Sequence, residues 1–141
     1  MTPRHLPVFV YGTLLPGERN HHLLHGRTVS WTPAVLPGTL LFHGPGYPYA
    51  VPDPDGAGTV HGEVAVITEE VYGQVLAELD RLEDYVPGNA ANLYERVAVQ
   101  VRTPGGEVHA WVYIAADRIT RELLVSGVRI EDGDWLRRPV K

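Results

Sequence analysis

The chain has 141 residues, of which 44% are hydrophobic and 21% charged, with no cysteine and a formal net charge of −5. That length fits one domain, which can bury roughly 70% of the surface its unfolded chain exposes. The composition excludes disulfides, thiol catalysis and cysteine-based zinc sites, and an acidic balance without any Lys/Arg run argues against a nucleic-acid footprint.

No stretch approaches the ~18 apolar residues of a membrane helix. The N-terminus carries no signal-length apolar core. The expectation is a cytoplasmic protein with a single domain over residues 1–141. Val8-Phe9-Val10-Tyr11 is a short apolar run that reads as a buried strand. Gly12, Pro16 and Gly17 make residues 12–19 a loop, and residues 20–24 fit a short helix. Thr39-Leu40-Leu41-Phe42 reads as a strand. Gly44-Pro45-Gly46-Tyr47-Pro48 is a turn-rich loop, and Asp53-Pro54-Asp55-Gly56 is another turn. Residues 59–67 alternate like a strand, with Val60, Gly62, Val64 and Val66 opposite His61, Glu63, Ala65 and Ile67.

The clearest predicted element is a helix over residues 69–83. Thr68 can cap it, and Glu69 and Glu70 sit in the first turn, where carboxylates complement the helix dipole. Val71, Val75, Leu79 and Leu82 mark its apolar face. Pro87, Gly88, Asn89 and Asn92 make residues 84–93 a loop. Residues 94–102 and 108–115 form a hairpin through Pro104-Gly105-Gly106, with Val97, Val99 and Val101 on one side. The tail allows a short helix near residues 120–124 and a last strand near 128–130. Many short strands with one long helix predict a small α+β barrel-like domain.

Glu83 is the main chemical candidate. At about 100° per residue it projects between Tyr72 and Leu76, at the edge of the inward face. A carboxyl there is partly desolvated, its pKa rises, and it can take and return protons near neutrality. The alternative is a structural acid paired with Arg96. The loop Tyr11-Gly12-Thr13-Leu14 follows a buried strand, and its glycine permits positive φ and close backbone approach. Successive amides in such a turn can form a nest for a carboxylate or phosphate. The alternative is a plain strand-ending turn. Residues 12–17 have P-loop glycine spacing, but Glu18-Arg19 stands where Lys-Ser/Thr is required, which rejects a nucleotide site. His21 and His22 are adjacent, so they point apart and cannot chelate one ion. Ser30 and Ser126 are the only serines, and neither sits in a nucleophile elbow. Tyr47, Tyr49, Tyr94 and Tyr113 read as core or pocket-wall residues.

In this order the segments resemble the gamma-glutamylcyclotransferase-like superfamily. Phe9-Val10-Tyr11-Gly12-Thr13-Leu14 looks like its opening strand and substrate loop, and Gly17-Glu18-Arg19-Asn20 like the Gly-x-x-Asn that follows. Leu79-Asp80-Arg81-Leu82-Glu83 resembles the helix end carrying its catalytic glutamate. Leu93-Tyr94-Glu95-Arg96, Trp111-Val112-Tyr113 and Gly133-Asp134-Trp135 resemble three later elements. The likeness is greater to the gamma-glutamylamine and butirosin cyclotransferase branch than to the glutathione-specific one. It implies a small mixed β-barrel with one long helix and short flanking helices. It also implies a cyclotransferase that releases 5-oxoproline and a free amine from a γ-glutamyl amine or peptide. Glu83 would be the general base and acid, and Tyr11, Gly12, Thr13, Leu14 and Tyr113 would bind substrate. No metal or cofactor is implied. The expected partner is the small-molecule γ-glutamyl substrate, with no nucleic acid and no membrane, in a monomer or weak homodimer. The competing expectation is a non-catalytic binding module using the same pocket.

Overall fold

The computed structural model describes residues 5–138. Its strands, in chain order, are β1 (Val8–Val10), β2 (Thr28–Pro37), β3 (Thr39–His43), β4 (Pro48–Pro52), β5 (Thr59–Ile67), β6 (Tyr94–Thr103) and β7 (Gly106–Ala115). Two α-helices accompany them, α1 (Tyr72–Leu82) and α2 (Asp117–Ser126). Five strands close a mixed barrel in the order β1-β5-β2-β6-β7. Every pair is antiparallel except β1 beside β7, where Val8 lies opposite Trp111. β3 and β4 form a separate hairpin, with Leu41 opposite Ala50.

Strand alternation divides the core in two. Phe9, Ala34, Leu36, Val60, Val64, Val101, Ala110 and Val112 come from all five barrel strands and share one cluster. Val97 and Val99 pack against the same cluster, as their alternation with Val101 predicts. Val8, Val10, Ala65, Ile67, Tyr113 and Ala115 face the other way, against Tyr72, Val75 and Leu79 of α1. β1 is therefore buried on both faces, which is why it reads as a continuous apolar run. The β3–β4 hairpin is also buried on both sides. It sends Leu41 and Ala50 into the barrel cluster and Leu40, Phe42, Tyr49 and Val51 into the helix-side cluster.

Several expectations are corrected. The helix over residues 69–83 is a 3-10 turn at Glu69–Val71, then α1, with Glu83 as the C-terminal cap. Thr68 makes no side-chain cap; its amide bonds the Arg27 carbonyl at 2.9 Å. The tighter 3-10 turn rotates the apolar stripe. Tyr72, after that turn, takes a core position, while Leu82, the last residue of α1, is 38% exposed. Along β5 both Val64 and Ala65 are buried, because the outward face is covered where α1 crosses it. Val66, beside the β2 bulge between Thr28 and Ser30, is 38% exposed. The short helix expected at 20–24 is a 3-10 turn, His21–Leu23. The tail helix is longer than expected, and the last strand is a single bridge, Phe42 to Arg129. β2 and β4 have no counterpart among the predicted elements. Among the described residues, no helix is long and apolar enough to cross a membrane.

Candidate active site

After Val10 the chain leaves the barrel and turns, with the Leu15 amide bonded to the Gly12 carbonyl at 3.1 Å. Gly12 does not adopt a positive φ, contrary to the freedom expected of it. Its need is steric. A Cβ there would lie 2.7 and 2.9 Å from Cγ and Cδ of Pro48 in β4. The turn is held from its far side by Asn20. Its Nδ2 donates to Thr13 Oγ1 and its backbone amide to the Thr13 carbonyl, both at 2.9 Å. His21 Nδ1 lies 3.0 Å from the Leu14 carbonyl, so that ring nitrogen carries the donated proton. Among the described residues, the amides of Gly12, Thr13 and Leu14 donate to no protein acceptor. Successive amides left in this state are the raw material of an anion nest.

Glu83 stands at the C-terminal end of α1. α1 ends with the Asp84 amide on the Arg81 carbonyl at 3.2 Å and the Tyr85 amide on the Asp80 carbonyl at 2.8 Å. That pair of bonds is a Schellman closure, and Asp84 supplies its left-handed residue at φ 54. The last turn is also fixed sideways. Arg96 donates from Nε and Nη2 to Asp80 at 2.8 and 3.2 Å, and the Tyr113 hydroxyl donates to Asp80 at 2.7 Å. The Arg96 guanidinium lies 4.4 Å from the Trp111 ring centroid. The alternative partner expected for Glu83 is thus committed to Asp80. Among the described residues, the half-buried Glu83 carboxylate has neither hydrogen bond nor ion pair. Burial alone pushes its pKa up from the ordinary carboxylate range to about 7.

Loop and acid meet in a cavity of about 250 Å³. Tyr11, Gly12, Thr13, Leu14, Glu83 and Tyr113 all line it. Arg19, Asn20, Tyr47, Asp84 and Tyr94 line it too and were not singled out as site residues from sequence. Asn20 had a signal in the Gly-x-x-Asn segment. Tyr47 and Tyr94 are among the tyrosines read from sequence as core or pocket-wall residues, and the Tyr94 hydroxyl donates to the Pro48 carbonyl of β4 at 2.6 Å. The Tyr11 hydroxyl donates to the Tyr113 carbonyl and accepts from the Ala50 amide at 3.3 Å. Burial raises the pKa of Tyr11, Tyr49, Tyr94 and Tyr113, and the nearby Glu83 charge adds to the rise in each. These phenols stay neutral and act as walls and donors. Tyr113 lines the cavity, but its hydroxyl is turned to Asp80. Among the described residues, no three His, Asp or Glu side chains converge on a point that could hold a metal ion.

The fold is a closed five-stranded mixed barrel whose cavity holds a backbone loop and the half-buried, unpaired Glu83 carboxylate. The profile of the family described as gamma-glutamyl cyclotransferase, AIG2-like, matches residues 8–137, and the chain belongs to that family. It is 36% identical over 108 residues to gamma-L-glutamyl-butirosin B gamma-glutamyl cyclotransferase of Niallia circulans, covering 76% of this chain and 65% of that protein. Among solved structures it is similar to YkqA from Bacillus subtilis, with a TM-score of 0.67 and 29% identity over 93% of this chain and 39% of that one. An AIG2-like protein from Mus musculus shares the fold, with a TM-score of 0.62 and 24% identity over 99% of this chain and 87% of that one. The chain thus spans less than two thirds of the butirosin cyclotransferase and of YkqA.

Proposed function

We propose that this protein is a γ-glutamyl cyclotransferase that converts a γ-glutamyl amine or peptide into 5-oxoproline and a free amine. One observation carries the reading: Glu83 is an unpaired carboxylate, tuned by burial to about pH 7, in the same cavity as the loop over residues 11–14. An acid tuned there accepts and returns protons with little driving-force penalty at neutral pH.

In this mechanism the loop amides hold the α-carboxylate of the glutamyl group. Glu83 takes one proton from the α-ammonium, and the freed amine attacks the γ-carbonyl of the same residue. A carbon–nitrogen bond forms and closes a five-membered ring. The proton on Glu83 passes to the departing nitrogen as its bond to the γ-carbon breaks. Glu83 then takes the second proton from the ring nitrogen and passes it on to the released amine. Tethering the nucleophile to its target leaves the protein two tasks, fixing the ring-closing conformer and moving protons. The neutral tyrosines around Glu83 keep the site apolar enough to hold its pKa near 7.

The test is 5-oxoproline release by wild type and Glu83→Gln over a panel of γ-glutamyl amines and peptides. Removing a general acid–base group should lower the rate by ~10²–10⁴-fold. Wild-type kcat/KM should rise with pH through about 7, where Glu83 loses its proton. Release of free glutamate instead of 5-oxoproline would make the protein a hydrolase. Binding without turnover across the panel would make it a binding module.

A further inference from the structure

Three ionisable side chains line the cavity beyond the tyrosines: Glu83, Asp84 and Arg19. Arg19 is the only cation among them. Its backbone is pinned on both sides. Before it, the Glu18 amide bonds the Leu15 carbonyl at 3.0 Å; after it, Asn20 bonds Thr13. His22 Nδ1 lies 3.1 Å from the Arg19 carbonyl. The natural acid partner next door is withdrawn, because the Glu18 carboxylate accepts from Trp135 Nε1 at 2.8 Å. Among the described residues, the Arg19 guanidinium has no hydrogen bond or ion pair, in a chain with 17 Asp and Glu residues. It rests beside the turn between β3 and β4, where a Cβ on Gly46 would lie 3.2 Å from Arg19 Nη1. Glu83 is raised by burial, with no cation offsetting the rise, so Arg19 is not a partner of the acid.

We infer that Arg19 reads the leaving amine, and that the preferred substrates release an amine carrying a carboxylate, such as an amino acid, rather than a neutral or cationic amine. This rests on the cyclotransferase reading and adds to it the chemistry of the departing group. A cavity with an acid in its wall and an unpaired guanidinium at its exposed lip is bipolar. The ammonium of the γ-glutamyl group belongs near Glu83, and an anion on the distal side belongs near Arg19. A guanidinium offers a carboxylate two parallel donors, a match an amine or alcohol cannot make. The same cation repels a leaving group that bears a second ammonium.

The experiment uses two near-isosteric pairs: γ-glutamylglycine against γ-glutamylethylamide, and γ-glutamyl-β-alanine against γ-glutamylpropylamide. Each is measured for 5-oxoproline release and, by calorimetry, for affinity. In wild type the carboxylate member of at least one pair should be favoured roughly tenfold or more in kcat/KM, as for a charge-assisted hydrogen bond. The ratio within the pair should collapse toward one in Arg19→Gln and invert in Arg19→Glu. It should also shrink as salt is raised in wild type, since Arg19 is exposed. Arg19 holds no structural contact of its side chain, so both variants should fold. Equal treatment of both pairs by wild type overturns the inference. So does an equal fall for both members in Arg19→Gln, which would place Arg19 on the glutamyl carboxylate instead. Absence of 5-oxoproline with the affinity preference intact and lost in Arg19→Gln overturns the cyclotransferase reading while supporting the role of Arg19.

Discussion

Glu83 carries an unusual burden for a single side chain. A carboxylate held in a half-buried site without a partner is destabilising, and the sign of that effect is testable. Its folded-state pKa of about 7 lies above the ~4.3 of an unfolded glutamate. Between those values the native state binds more protons than the unfolded state, so stability falls as pH rises through the window. Below pH ~4 both states are protonated and the penalty vanishes. At pH 8 the penalty is fully present, with an upper bound of about 4 kcal/mol for a shift of this size before discounting for the group's partial exposure. Glu83→Gln should therefore be more stable than wild type by ~1–3 kcal/mol at pH 8 and no different near pH 4. Urea denaturation at both values measures it. The same gap at both pH values would mean that the side chain's charge is not what the fold resists. Sequence reasoning reached this residue by placing it on the inward edge of a helix. The structure gives it a cap position instead, in a cavity it shares with Tyr11 after β1, Tyr94 of β6 and Tyr113 of β7. None of those tyrosines is near it in sequence: residue type and resemblance marked them as pocket-wall or substrate-binding residues, but the distances between them exist only in the fold.

At the scale of the element, the end of α1 is a locked joint. Its Schellman closure requires a left-handed residue, and Asp84 fills that role where glycine is usual. An aspartate tolerates this region better than most residues, but still at a cost relative to glycine. Asp84→Gly should hold stability or raise it by up to ~1 kcal/mol, and Asp84→Val should lower it by ~1–2 kcal/mol, read as shifts in denaturant midpoint. A valine that costs nothing would show that the joint relaxes. Elements with strong local periodicity were readable in the sequence: the β6–β7 hairpin, β5 and the body of α1. β2 and β4 were not. Only Ala34 and Leu36 of β2 are buried, and Pro33 and Pro37 interrupt its reading as a strand. Its ladder to β6 has one register pair, Val35 to Arg102, so those prolines disturb little. β4 is five residues bounded by Pro48 and Pro52, which read locally as turn. Both strands depend on their partners: β2 pairs with β5, some thirty residues on, and β4 pairs with β3 across the turn of residues 44–47.

At the scale of the whole molecule, segments near both ends of the described chain, around Pro7 and residues 133–138, are tied into the barrel. β1 closes the barrel on β7, and the Trp111 amide bonds the Pro7 carbonyl at 2.9 Å. The C-terminal segment then returns. The His61 amide bonds the Gly133 carbonyl at 2.8 Å, and Trp135 reaches the barrel cluster with 4% of its surface exposed. The Arg138 guanidinium covers its ring at 3.8 Å from the centroid. Its indole Nε1 donates to Glu18, which lies in the segment that carries both Arg19 and Asn20. Trp135 therefore has two separable jobs. Trp135→Ala removes a buried aromatic and should lower stability by ~3–5 kcal/mol. Trp135→Phe keeps most of the packing but loses, among the described residues, the only hydrogen bond to the Glu18 carboxylate. It should cost less stability, yet speed hydrogen exchange at the amides of Leu15, Asn20 and His21, while the amides of β6 and β7 keep their protection. The carboxylate of Glu18, once released, lies next to Arg19 and competes for its guanidinium. The preference for carboxylate-bearing donors should then shrink in Trp135→Phe toward the ratio of Arg19→Gln. If exchange in the loop is unchanged and the preference stays at the wild-type ratio, the tryptophan is only a core residue. If both move together, a side chain 117 positions from Glu18 sets the electrostatics of the pocket lip.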